Sequence, residues 1–171
     1  MNRTVTVFAG VASVALALVL STQINGAVRT TTFAKAGTPT KINAPVSQRQ
    51  LHRLVVQVDV NDPAIMTLAL NNVSNVARHY KDLGQEVAIE VVAFGPGLHM
   101  LRDDTSPVKE RIKSISETVP QLTFSACGNT RENMTKVEAK DIPLISQAKV
   151  VKAGVVRLME LQELGWSYLR P

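Results

Sequence analysis

A chain of 171 residues, 45% apolar and 19% charged, has room for one domain with a real core, and a 4% aromatic share means that Val, Leu, Ile and Ala must build it. The formal charge of +5 is scattered, without basic runs or interleaved aromatics, which leaves nucleic-acid binding unsupported. A single cysteine excludes an internal disulfide and an all-cysteine metal site, and His52, His79 and His99 are too widely spaced for a compact metal motif, so no metal or other cofactor is expected.

Met1-Asn2-Arg3 carries one positive charge and is followed by an uncharged apolar run over 5–20 and then the polar "STQINGA". That is the layout of a secretory signal peptide over residues 1–27, with small residues at Gly26, Ala27, Ala34 and Ala36 as cleavage sites. An uncleaved anchor is the alternative, since no charge intervenes between Arg3 and Arg29. Either way the remainder is expected outside the cytoplasm, in a periplasm, with no other membrane segment. Residues 28–50, rich in Thr, Ala and small polar residues with no usable periodicity, read as a flexible linker, and the domain spans 51–171.

Within the domain, "LHRLVVQVDV" predicts a strand that stops at "NDP", where Asp62 can cap a helix and Pro63 can occupy its first position. Apolar residues at helical spacing from Ile65 to Leu83 predict an amphipathic helix, ended by Gly84 in a left-handed cap. "EVAIEVVAF" reads as a strand buried on both faces, stopping at "GPG". "LHMLRDD" suggests a helical turn, and "SPVKERIKSISETV" a helix capped by Ser106. "QLTFSA" is a third strand, "NTRENMTKVEA" a helix with Asn129 or Thr130 as cap, and "AKVV" a fourth strand. "AGVVRLMELQELG" is a helix ended by Gly165, and "WSYLRP" offers a short fifth strand. Alternating strands and helices predict an α/β fold, a three-layer α/β/α sandwich with a mainly parallel sheet of about five strands.

In such a sheet, ligands and reactive groups gather beyond the carboxyl ends of the strands. Three strand ends stand out, carrying Asn61 and Asp62, then Gly95, Pro96 and Gly97, then Cys127, Gly128 and Asn129. Cys127 falls beside a helix N-terminus with Arg131 close in sequence, and both favour a thiolate. An odd cysteine in an exported protein implies a reactive thiol or an intermolecular disulfide; the alternative is a small buried hydrophobe. "GPG" lacks the third glycine of a dinucleotide loop and reads as a tight turn that could still shape a pocket around the thiol. His99 is a candidate acid or base there. Glu90, inside an apolar strand, is expected to face a sheet end, a backbone donor or a neighbouring subunit rather than a substrate. The last helix is apolar on a wide arc, through Val155, Val156, Leu158, Met159, Leu161 and Leu164, so it is either enclosed by the fold or covered by another subunit.

The stretches "NDP" followed by "LALNNVSNVARHY", then "VAIEVVAFGPGLHML", "FSACGNT" and the closing "AGVVRLMELQELGWSYLRP" together resemble the DsrE/DsrF-like family of small sulfur-handling proteins over residues 51–171. The resemblance implies an α/β/α sandwich, homo-oligomers such as trimers or hexamers, and a cysteine that carries sulfur as a persulfide. Cys127 stands at the matching position, as nucleophile and persulfide carrier, with Gly128, Asn129 and Thr130 supplying the turn and amides around it. The relay proteins of that family work in the cytoplasm, whereas this chain reads as exported, which leaves its sulfur donor and acceptor open. The expected function is therefore an extracytoplasmic sulfur carrier or sulfurtransferase-like protein. The alternatives are an oligomeric binding or assembly module with an inert cysteine, or a thiol redox sensor.

Overall fold

The computed structural model describes residues 51–171; the expected signal or anchor over 1–27 and the linker over 28–50 lie outside the described residues. In chain order the elements are β1 (His52–Val58), α1 (Pro63–Asp82), β2 (Val87–Ala93), a 3-10 helix (Gly95–Leu101), α2 (Lys109–Thr118), β3 (Leu122–Cys127), α3 (Gly128–Glu138), β4 (Ala148–Val151), α4 (Gly154–Glu163) and β5 (Ser167–Leu169). All five strands run parallel, in the order β4-β3-β2-β1-β5.

That order explains the layers. From β1 to β4 each strand is laid on the same side of its predecessor, and right-handed crossovers keep the intervening helices on one face. The chain then returns past β1 to place β5, so α4 crosses on the opposite face. Side-chain alternation divides the core accordingly. Val56, Val58, Ile89, Val91, Phe124 and Ala126 pack with Met66, Leu70 and Val73 of α1 and Ile112 of α2. Val55 and Val92 pack with Leu158 and Leu161 of α4, beside Phe94 and Trp166.

Most expected elements form where the pattern puts them, and Gly84 and Gly165 take positive φ after α1 and α4. Asp62 accepts a hydrogen bond from the Ala64 amide at 2.7 Å and caps α1. Ser106 does not cap α2 directly. The helix starts at Lys109, and the Ser106 hydroxyl instead donates to the Met100 carbonyl at 2.6 Å while accepting from the Val108 amide at 3.3 Å, which fastens the preceding turn. The "GPG" turn itself begins the 3-10 helix. Gly97 is required there because a Cβ would stand 2.2 Å from the Val58 carbonyl oxygen, so the turn lies directly on the end of β1.

At the end of α3 opposite its N-cap, Arg102, fully buried, bridges Asp104 and Glu138 and so ties the end of the 3-10 helix to the end of α3. Lys140 joins both carboxylates from outside. Among the described residues, no helix is long and apolar enough to cross a membrane, and no group of His, Cys, Asp and Glu could hold a metal ion.

Candidate functional site

Cys127 ends β3 at the carboxyl edge of the sheet and is also the N-cap of α3. The cap lies two to three residues earlier than the expected Asn129 or Thr130, because Gly128 is small enough to serve as the first residue of the helix. A Cβ at Gly128 would sit 3.1 Å from the Val151 carbonyl oxygen and 3.4 Å from that of Lys152. The Asn129 amide donates to the Lys152 carbonyl at 3.2 Å, which ties the start of α3 to the segment that leads into α4.

Alternation along β3 sends Leu122, Phe124 and Ala126 toward α1 and leaves Thr123, Ser125 and Cys127 on the α4 face. The thiol therefore meets the start of a second helix. Gly154 is the first residue of α4, and a Cβ there would fall 2.9 Å from Phe94 Cβ, so the helix approaches the residue that follows β2 as closely as a bare Cα permits. The N-termini of α3 and α4 converge on one sulfur.

Thr130 completes the surround. Its hydroxyl oxygen accepts the Gly95 amide at 3.0 Å, which links the "GPG" turn to the first turn of α3 beside the thiol. Sγ makes no closed capping hydrogen bond at α3, yet it lies among donors. Burial pushes the Cys127 thiol up; the Thr130 hydroxyl and the amides of Gly154, Thr130 and Asn129 outweigh it and hold the thiol below its usual value. Cys127 keeps only 5% of its surface exposed.

Of the residues singled out in the sequence, Cys127, Gly128, Asn129, Thr130 and Gly95 thus come together, with Pro96 and Gly97 shaping the turn. Arg131 does not supply the expected charge. Its guanidinium donates to the Ile142 carbonyl at 2.8 Å and pairs with Asp141 at 3.0 Å. His99 shares a hydrogen bond with Thr105 Oγ1 at 2.8 Å, within its own loop. Asp62 is engaged in capping α1, and Asn61 is exposed beside it, two strands from β3 or about 10 Å at the usual interstrand spacing.

Glu90 finds its partners inside the chain rather than at a sheet end or a neighbouring subunit. It is 4% exposed, accepts from Arg157 Nε and Nη2 at 2.8 Å each, and accepts from Ser125 Oγ at 2.6 Å. Burial pushes its carboxyl up, and the bonds from Arg157 and Ser125, with the Arg157 and Lys149 charges, bring it net below the usual range. Gly154 and Arg157 were not among the sequence candidates, since nothing in the local pattern says that a helix 27 residues after Cys127 starts on it. A groove of about 750 Å³ lies between the C-terminal ends of α1 and α2, at the opposite edge of the sheet, and contains neither cysteine nor histidine.

Comparison with family models and with curated proteins gives no match. Among solved structures the chain is similar to MTH1491 from Methanobacterium thermoautotrophicum, described as a protein of unknown function. The identity is 30%, the TM-score 0.60, and the match covers 70% of this chain and 99% of that one.

Proposed function

The chain belongs to the same family as MTH1491, and with that family's function open we propose that it is a DsrE/DsrF-like sulfur carrier whose Cys127 accepts and passes on sulfane sulfur outside the cytoplasm. One observation carries the reading: a lone cysteine ends a parallel strand where the N-termini of α3 and α4 meet, and the Thr130 hydroxyl and the amides around it hold its thiol below the usual value despite burial. This environment favours the thiolate, the species that attacks sulfur.

With thiosulfate as donor, the thiolate attacks the sulfane sulfur, a new S–S bond forms as the donor S–S bond breaks, and sulfite leaves with the bonding pair. The product is an anionic cysteine persulfide, which the same amides favour. An acceptor thiolate then attacks the terminal sulfur, takes it, and returns Cys127 as thiolate. No net oxidant or reductant is required. Small sulfane-sulfur anions are the first donors to try, because so little of Cys127 is exposed.

The test is the intact mass of the protein after thiosulfate or polysulfide, beside Cys127→Ser. A gain of one sulfur on wild type alone, removed by reductant, supports the carrier; no gain with either donor overturns it.

A second reading, an oligomeric assembly module, is favoured by the outer face of α4. Leu158 and Leu161 are buried, while Val155, Val156, Met159 and Leu164 are each at least half exposed, so within the described residues the fold does not enclose this helix. Apolar residues clustered on one exposed face suit a subunit contact, in a trimer, a hexamer or another homo-oligomer. The two readings are compatible, since this face begins next to the Gly154 end of the site.

A further inference from the structure

Within the described residues the face of the sheet that carries Cys127 is covered by α4, which buries Leu158 and Leu161 on Val55 and Val92 with Phe94 and Trp166 beside them. Apolar burial is non-directional, and the close approach of Gly154 to Phe94 limits how near the helix comes without fixing its rotation. Direction comes from the Glu90–Arg157 pair. Both carboxylate oxygens accept a hydrogen bond from a guanidinium nitrogen 2.8 Å away, and the Ser125 hydroxyl fixes the carboxylate to β3.

The placement of this pair is specific to the thiol. Ser125 and Cys127 are two residues apart on the same face of β3, roughly 7 Å along the strand, and Arg157 is about one helical turn from Gly154. Stability alone does not account for a carboxylate in the middle of an apolar strand, since buried ion pairs are often replaceable by apolar residues without loss.

We propose that Glu90, Ser125 and Arg157 form a positioning device that sets the N-terminus of α4 in register against the Cys127 sulfur. The inference rests on the reading of Cys127 as a reactive thiol. None of the three touches the reacting atoms; they act through the Gly154 amide.

Charged groups on the elements around the thiol are Glu90 on β2, Lys149 on β4, Lys152 before α4, Arg157, Glu160 and Glu163 on α4, and Arg131, Glu132, Lys136 and Glu138 on α3, with His99 in the 3-10 helix. They make the sign of the effect decisive. In Glu90→Gln the charge of Arg157 remains, so a direct field effect favours the thiolate and lowers the titration midpoint. Loss of helix register withdraws an amide and raises it.

The experiment is the rate of Cys127 alkylation by iodoacetamide against pH in the full chain, for wild type, Glu90→Gln and the double variant Glu90→Leu/Arg157→Met. In both variants the midpoint is expected to rise by about one pH unit, with the limiting rate at high pH unchanged. Arg102→Met, a destabilising change at the end of α3 opposite Cys127, roughly 15 Å along the helix, is expected to leave the midpoint where it is. A midpoint that stays or falls in the double variant overturns the proposal, and so does failure of that variant to fold, which would make the pair a support of the fold alone.

Alkylation reads the thiol and not sulfur transfer, so the two readings fail separately. If wild type takes up no sulfur but the midpoint shifts, the carrier role falls and the positioning role stands. If sulfur loads and the midpoint does not shift, the reverse holds.

Discussion

Gly154→Ala probes the convergence of α3 and α4 with a single methyl group. An ideal Cβ at this position would lie 2.9 Å from Phe94 Cβ, 3.1 Å from its Cδ1 and 3.2 Å from its Cγ. Carbon atoms in contact prefer about 3.5–4.0 Å, so helix and strand must part by roughly 0.5–1 Å. The phenyl ring can turn aside, but Phe94 Cβ is fixed to the backbone. Overpacking of this kind costs about 1–3 kcal/mol. Alanine gains something over glycine in a helix, up to about 1 kcal/mol in the interior and less at the first position. The net expectation is a loss of about 1–2 kcal/mol, seen in urea unfolding as a midpoint lower by roughly 1 M with little change in slope. The same displacement draws the Gly154 amide from Cys127, so the alkylation midpoint should rise. A variant as stable as wild type with an unmoved midpoint would refute the argument that α4 touches Phe94 here and acts on the thiol.

Gly97→Ala should be more severe than Gly154→Ala, because its Cβ would fall 2.2 Å from a backbone oxygen that no rotamer can move. A loss above about 3 kcal/mol in urea unfolding is expected, and a stable variant would contradict the close approach of the turn to β1. The Arg102 cluster predicts an acid limb in stability. Arg102 bonds to Glu138 and holds its carboxyl at about 2, and Asp104 lies below its usual range for the same reason. These carboxyls titrate lower when folded than when unfolded. Their stabilisation is therefore complete above the ordinary carboxylate pKa values and is lost as the pH falls through about 4 toward 2. Urea midpoints measured across that range should fall in wild type and fall less steeply in Arg102→Met; equal slopes would exclude the cluster as a source. Met159→Glu should disperse any oligomer built on α4, read by light scattering, while leaving the exposed helix folded; an unchanged mass would remove α4 as the contact.

The sequence by itself carried the order and type of the elements, because each depends on a local pattern. Continuous apolar character marks β2, helical spacing marks α1, and Asp62, Pro63, Gly84 and Gly165 mark helix ends through backbone preferences that need no partner. It also singled out Cys127, a lone thiol at the boundary between a strand pattern and a helix pattern. The cap itself lies two or three residues before the Asn129 or Thr130 that the local pattern favours, since the advantage of Gly128 at the first position comes from the segment 151–152 packed against it.

What tertiary structure alone decided is which groups act on that thiol. Sequence proximity pointed to Arg131, but its guanidinium has nearer partners in Asp141 and Ile142. The return of the chain from β4 to β5 placed α4 on the Cys127 face, and with it the Gly154 amide and an arginine 67 residues from Glu90. Electrostatic action falls with distance in space, not along the chain, so no local pattern could have announced those partners.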